Sequence, residues 1–129
     1  MAKVKITVLE RTFNPEIAEA YGSDAFKEGS GCGPCANFED GQSFMLDGLS
    51  MPEGFCSRAW ADIHGAVRTV AFGGEHHFMK IRGSAIVCCT DGMKPVVFRV
   101  ERVDSTGLRA NSCCARSSRL EAAVSTRST

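Results

Sequence analysis

Pro52-Glu53-Gly54-Phe55-Cys56-Ser57-Arg58-Ala59-Trp60-Ala61-Asp62-Ile63-His64-Gly65-Ala66-Val67-Arg68-Thr69-Val70-Ala71-Phe72-Gly73-Gly74 is the stretch on which the fold turns. Cys56, Trp60, Ile63, Val67 and Val70 recur at spacings of four, three, four and three, which lays them along one stripe of a helix. Pro52-Glu53-Gly54 opens this helix and Gly73-Gly74 closes it, so one main helix is expected over about 55–72. Cys56 then faces inward at the N-terminal end, Trp60 belongs to the core, and His64 sits half-buried at the border of the stripe. Arg58 and Asp62, four apart on the opposite side, read as a solvated ion pair worth a few tenths of a kcal/mol.

A helix with a single apolar stripe needs a surface to cover, and the flanking sequence supplies strands. Lys3 to Glu10 alternates, with Val4, Ile6 and Val8 on one face and Lys3, Lys5 and Thr7 on the other. Gly41 to Gly48 is a second short strand between glycine turns, with Phe44 and Leu46 pointing inward. The runs Ala85–Cys89 and Pro95–Val103, joined through Thr90-Asp91-Gly92-Met93-Lys94, form a hairpin in which Asp91 initiates the turn. Pro95 cannot donate a ladder hydrogen bond and belongs at the start of the last strand or on an edge. Asn14-Pro15-Glu16 starts a helix of at most two turns that ends at Gly22, and Gly22 to Pro34 reads as loop without a regular element. The expected architecture is α+β: a small, mainly antiparallel sheet of about four strands with the 55–72 helix on one face.

Length and composition agree with one domain. The chain has 129 residues, 43% of them hydrophobic and 23% charged, near the averages for globular proteins. Residues 1–104 are taken as the domain. Nine of the last twenty-five residues are Ser or Thr, periodic apolar character is lost, and 105–129 is read as a disordered tail. The formal net charge is zero, but Arg109, Arg116, Arg119 and Arg127 against Glu121 give the tail +3, leaving −3 for the rest. A mildly acidic domain without a basic, aromatic-laced stripe argues against a nucleic-acid partner. No apolar run is long enough to span a bilayer and no signal-peptide pattern opens the chain, so a cytoplasmic protein without a membrane partner is expected. A homo-oligomer is left open.

In a reducing compartment the seven cysteines are expected to be thiols, metal ligands or redox groups rather than permanent disulfides. Cys32-Gly33-Pro34-Cys35 is a redox spelling, but a thioredoxin-like site needs a strand before it and a helix after it, and neither pattern flanks it here. A metal site is the second reading. Cys32, Cys35, Cys56 and Cys88 or Cys89 could supply four thiolates to zinc, whereas Cys35, Cys56 and Cys89 alone would leave an open position on zinc or iron. Thiol catalysis is the third, with Cys56 near a helix N-terminus and Asp62, His64 and Asp91 as proton-transfer candidates. Against all three stands simple packing, since free cysteine behaves as a small hydrophobe. His76 and His77 read as a solvated loop pair, and Cys113-Cys114 as incidental thiols.

Three stretches, Cys35 with Phe38 and Gly41-Gln42-Ser43-Phe44, Pro52 to Trp60, and Cys89 to Phe98, resemble a small uncharacterised prokaryotic family of single-domain cysteine-containing proteins, many of them from anaerobes. The resemblance spans residues 3 to about 103. It implies cysteines at Cys35, Cys56 and Cys89 and makes Cys32, Cys88 and the tail cysteines extras. It attaches no activity, so whether the chain is an enzyme stays open.

The function expected is that of a small cysteine-centred domain that binds metal or performs thiol redox chemistry. The alternative is a non-catalytic interaction or assembly module with structural cysteines. The tail reading has a direct consequence: a chain ending at Asp104 should melt within a few degrees of the full chain, roughly the shift that 1 kcal/mol produces in a domain of this size. A much larger drop in Tm would show that the tail packs.

Overall fold

The computed structural model describes residues 2–29 and 32–103. Along the chain come β1 (Lys3–Arg11), α1 (Pro15–Tyr21), α2 (Asp24–Glu28), β2 (Ser43–Met45), α3 (Ser57–Ala71), β3 (Ser84–Cys88) and β4 (Val96–Val103). The strands form one antiparallel sheet in the order β2-β1-β4-β3. The long connection from β2 to β3 carries α3 across one face from edge to edge, giving the α+β architecture expected from the sequence.

The alternation of β1 does what its pattern requires. Val4, Ile6 and Val8 are buried, and their register partners on β4 are Arg102, Val100 and Phe98. The inward row of β4, Val96, Phe98 and Val100, meets Ala59, Ile63, Val67, Val70 and Ala71 of α3 in one core. Between Val8 and Glu10 the β1–β4 register shifts by one residue, and this bulge turns the end of β1 toward the loops that follow. Among the described residues no helix is long and apolar enough to cross a membrane.

The main helix is shorter than the expected 55–72. Cys56 has ψ 124°, an extended conformation, and serves as N-cap, while Gly54 before it takes φ +83°, so helical geometry begins at Ser57. At the other end Gly73 adopts φ +91°, the left-handed conformation that ends helices. The last carbonyls are capped from the sheet: Arg102 Nη1 donates to Val70 O at 2.8 Å and to Gly74 O at 3.3 Å, and Nη2 meets Glu75 Oε2 at 3.0 Å. A cation here also opposes the negative end of the helix dipole. Gly83 makes room for it. Its φ is +72°, and a Cβ there would lie 2.8 Å from Arg102 Nη2.

Two expectations need correction. The Gly22–Pro34 segment is not all loop: Ser23 Oγ accepts the Phe26 N–H at 3.1 Å and caps α2, a single-turn signal too short to show as apolar periodicity. Arg58 and Asp62 do not pair with each other. Arg58 Nη2 reaches Asp91 Oδ2 at 3.8 Å, and Asp62 Oδ2 instead accepts from the Thr90 N–H at 2.8 Å and from its hydroxyl at 3.0 Å. The hairpin turn does use Asp91, whose Oδ1 accepts the N–H groups of Met93 at 2.9 Å and Lys94 at 3.0 Å. The tail 105–129, with Cys113 and Cys114, lies outside the described residues.

Because Arg102 supplies the C-terminal cap of α3 from a largely buried position, Arg102→Met should keep the packing of its stem and lose the cap. The expected loss is about 1–3 kcal/mol, on the scale of hydrogen bonds to a charged group. It should be read as a lower urea midpoint at unchanged slope. An unchanged midpoint would show that the cap contributes nothing.

Candidate functional site

A cluster of rings decides where the cysteines stand. Phe38 packs edge-on against Phe55 at 5.0 Å and against Phe98 at 5.2 Å between ring centroids, and Phe55 lies 5.5 Å from Phe98. These three rings come from the loop before β2, the approach to α3, and the middle of β4. Cys35 lies three residues before Phe38 and Cys56 directly follows Phe55. Cys89, the residue after β3, is held beside Val96, two residues before Phe98: its N–H donates to Val96 O at 3.1 Å.

All three cysteines border one cleft of about 50 Å³, whose wall also carries Asp62, Asp91 and Lys94. Such a volume admits a few waters or a small ion and is far below the several hundred Å³ of sites for drug-sized molecules. Each of the three thiols is partly exposed, and each packs against the hydrophobic core on its other side. Two of the sulfurs accept backbone N–H groups, Cys35 Sγ from Asn37 at 3.4 Å and Cys89 Sγ from Val96 at 3.3 Å. Both bonds place a positive dipole end on the sulfur. Cys56 makes no side-chain cap hydrogen bond, so its thiol is not engaged by the helix it opens.

Asp62 bridges the two halves of the site. Through Thr90, whose N–H and hydroxyl both donate to Oδ2, it ties α3 to the residue after Cys89. Asp91 is likewise committed, to its own turn and to Arg58. His64 does not line the cleft and rests 5.1 Å from the Trp60 ring. His76 stacks on Phe78 at 5.3 Å, away from the thiols. Cys32 is exposed and contributes nothing to the cleft. Among the described residues, no group of three or more His, Cys, Asp or Glu side chains stands in an arrangement that could hold a metal ion. The four-thiolate arrangement using Cys32 is therefore not formed.

Cys88 and Cys89 part company as the pleat demands. Ala85 and Val87 face the core, so Ile86 and Cys88 face outward, and Cys88 is exposed. Its thiol pKa is raised above the ordinary value, first by partial burial, then by the charges of Cys89 and Asp62, with a Val96 backbone hydrogen bond acting the other way.

Two residues of the site are missing from the sequence reading. Arg11, at the end of β1, donates through Nη1 to Cys35 O at 2.9 Å and through Nε to Asp40 Oδ1 at 3.2 Å, and so pins the Cys35 loop to the sheet. Lys94, inside the hairpin turn, is only 6% exposed. Neither belongs to a local pattern, so only a rule about buried cations could have singled them out. Compared with protein-family models, curated proteins and solved structures, the chain finds no match.

The direction of the Cys88 shift gives a test. Its rate of alkylation by iodoacetamide should rise with pH along a curve displaced to higher pH than that of a small free thiol, because the thiolate is the reactive form. In Asp62→Asn the curve should move back toward lower pH, since a negative neighbour has been removed. A curve for the native protein that overlays the free thiol would refute the displacement.

Proposed function

We propose that this domain is a thiol-redox module acting through Cys35, Cys56 and Cys89. The observation that supports it is the position of these thiols: three partly exposed sulfurs from three separate elements border one small cleft, where cysteines serving only as packing would be spread through the core. In this reading two of them each give up a proton and together give up two electrons, and a sulfur–sulfur bond forms. The electrons pass to an external disulfide or peroxide by attack of one thiolate and displacement by the second. The N–H groups of Asn37 and Val96 stabilise electron-rich sulfur at Cys35 and Cys89.

The reading is tested by treating reduced protein with diamide and mapping the products by mass spectrometry after digestion. A disulfide joining two of Cys35, Cys56 and Cys89, reversed by dithiothreitol and changed in Cys56→Ser, is expected. Oxidation confined to Cys32 and Cys88, with the cleft thiols still reduced, would favour the interaction module with structural cysteines. Stoichiometric zinc or iron in protein purified without chelator, lost in Cys56→Ser, would instead favour the metal reading.

A further inference from the structure

The charge of −3 on residues 1–104, which speaks against a nucleic-acid partner, is an average over two unlike ends of the domain. At the cleft end, β1 leads into α1 and α2, where Glu16, Glu19, Asp24 and Glu28 stand against Lys27 alone. The Asn14 N–H, donating to Met93 O at 2.9 Å, holds that acidic segment to the hairpin turn. The opposite end is basic. There the last turn of α3 and the loop leading to β3 carry Arg68, Lys80 and Arg82 against Glu75. Glu75 is divided between two guanidiniums, Oε1 meeting Arg82 Nε and Oε2 meeting Arg102 Nη2, both at 3.0 Å. Among the described residues Arg68 and Lys80 make no ion pair within 4.0 Å. Other carboxylates do not restore the balance: Glu101 points from β4 to the face away from α3 and pairs with Arg99 at 3.0 Å, and Asp47 follows β2 at the far edge of the sheet. Val103 pairs with Lys3, and the Ala2 N–H donates to Ala71 O at 3.0 Å, so the chain leaves the sheet at this basic end. Residues 104–129 then carry Arg109, Arg116, Arg119 and Arg127 against Asp104 and Glu121.

The same end presents the domain's free aromatic surface. Of the eight phenylalanines in the chain only Phe72 and Phe78 are exposed, at 62% and 69%. Each ring is braced by a polar neighbour: the Arg68 guanidinium lies over Phe72, 5.4 Å from its centroid, and the His76 ring stacks on Phe78 at 5.3 Å and 25°. Exposed rings interleaved with cations are the two elements of a single-strand site, since any base can stack on a ring face and any phosphate can meet a cation. We propose that the C-terminal end of α3 and the loop to β3 bind single-stranded nucleic acid, with bases stacked on Phe72 and Phe78 and phosphates held by Arg68, Lys80 and Arg82. An anionic bilayer would meet the same charges, but burying these rings in hydrocarbon would draw in the guanidinium and imidazole that lie on them, at a desolvation cost that stacking in water avoids. The surface lies at the far end of α3 from the thiol cleft and stands independently of the redox reading.

The test is fluorescence anisotropy of a labelled oligouridine and a labelled oligothymidine with the full-length protein, beside a labelled duplex of the same length. Saturable binding to a single strand is expected, tighter than to the duplex, whose base faces are already stacked. Phe72→Ala and Phe78→Ala should each weaken it by at least about five-fold, the lower end of the cost of losing one stacked base, and both positions are exposed enough for the fold to tolerate the change. Lys80→Gln should weaken binding and flatten the slope of log affinity against log salt by about 0.7, the share of one phosphate on a single strand. Affinity unchanged in both phenylalanine variants would overturn the site and leave the arginines of 104–129 as the whole of the binding. Absence of saturable binding to either strand would also overturn it. In that case binding to phosphatidylserine vesicles that is lost in Phe78→Ala would assign this end to a membrane surface instead.

Discussion

The contact among Phe38, Phe55 and Phe98 is the constraint on which the cysteine cleft depends. Two of the rings come from irregular segments, the loop before β2 and the extended approach to α3, and the third from the sheet itself, where β4 pairs with β1 and β3. Phe38 is 3% exposed, Phe55 6% and Phe98 0%, so all three are removed from water together. Edge-on aromatic pairs add about 0.5–1.5 kcal/mol each beyond what burial contributes. Phe44 joins from β2, 4.9 Å from Phe55. Loops anchored this way carry Cys35 and Cys56 to the sheet end where β3 delivers Cys89.

Helix α3 is treated differently at its two ends, and the difference sorts structure from site. At the C-terminus Arg102 reaches in from β4 and satisfies two carbonyls, while Glu75 closes the charge. That end is completed by the protein. At the N-terminus neither a side-chain cap nor an acidic residue is present, and a cleft with a buried lysine lies there instead. A helix dipole exposes the same magnitude of partial charge at both ends. With one end completed and the other uncapped, the first turn of α3 meets the thiols across a cleft whose charges are Arg58 and Lys94 against Asp62 and Asp91.

The parts of the fold that repeat locally were legible in the sequence. Alternation in β1 named Val4, Ile6 and Val8, and all three are buried; the α3 stripe named Ile63, Val67 and Val70, and these are buried too. Trp60 and Cys56 sit at the rim of that stripe, partly exposed, and Cys56, as N-cap ahead of a helix that begins only at Ser57, borders the cleft. What local spacing could not show are contacts set by the tertiary fold. Arg58 and Asp62, four apart, look like partners, yet the hairpin turn brings the Asp91 carboxylate to Arg58 and the Thr90 N–H and hydroxyl donors to Asp62, and these replace a weak surface pair. Helix α2 escaped because one turn carries no period, and Arg11 because its partners lie far along the chain.

The neighbouring thiols Cys88 and Cys89 show how the sheet limits the chemistry open to the site. The pleat sends Cys88 to the open face and leaves Cys89 on the side of α3, so a bond between them would require the end of β3 to give up the pairing of Cys88 with Val97 and the hydrogen bond from the Cys89 N–H to Val96 O. That ladder is continuous with the core through Val87 and Phe98. Breaking it to join adjacent sulfurs would cost packing as well as hydrogen bonds. The partners open to Cys89 within the fold are therefore thiols brought from other elements, Cys56 from the start of α3 and Cys35 from the loop that Arg11 holds in place. The same pleat that hides one thiol from the other thus directs any sulfur–sulfur bond across the cleft, between segments whose relative position the aromatic cluster sets.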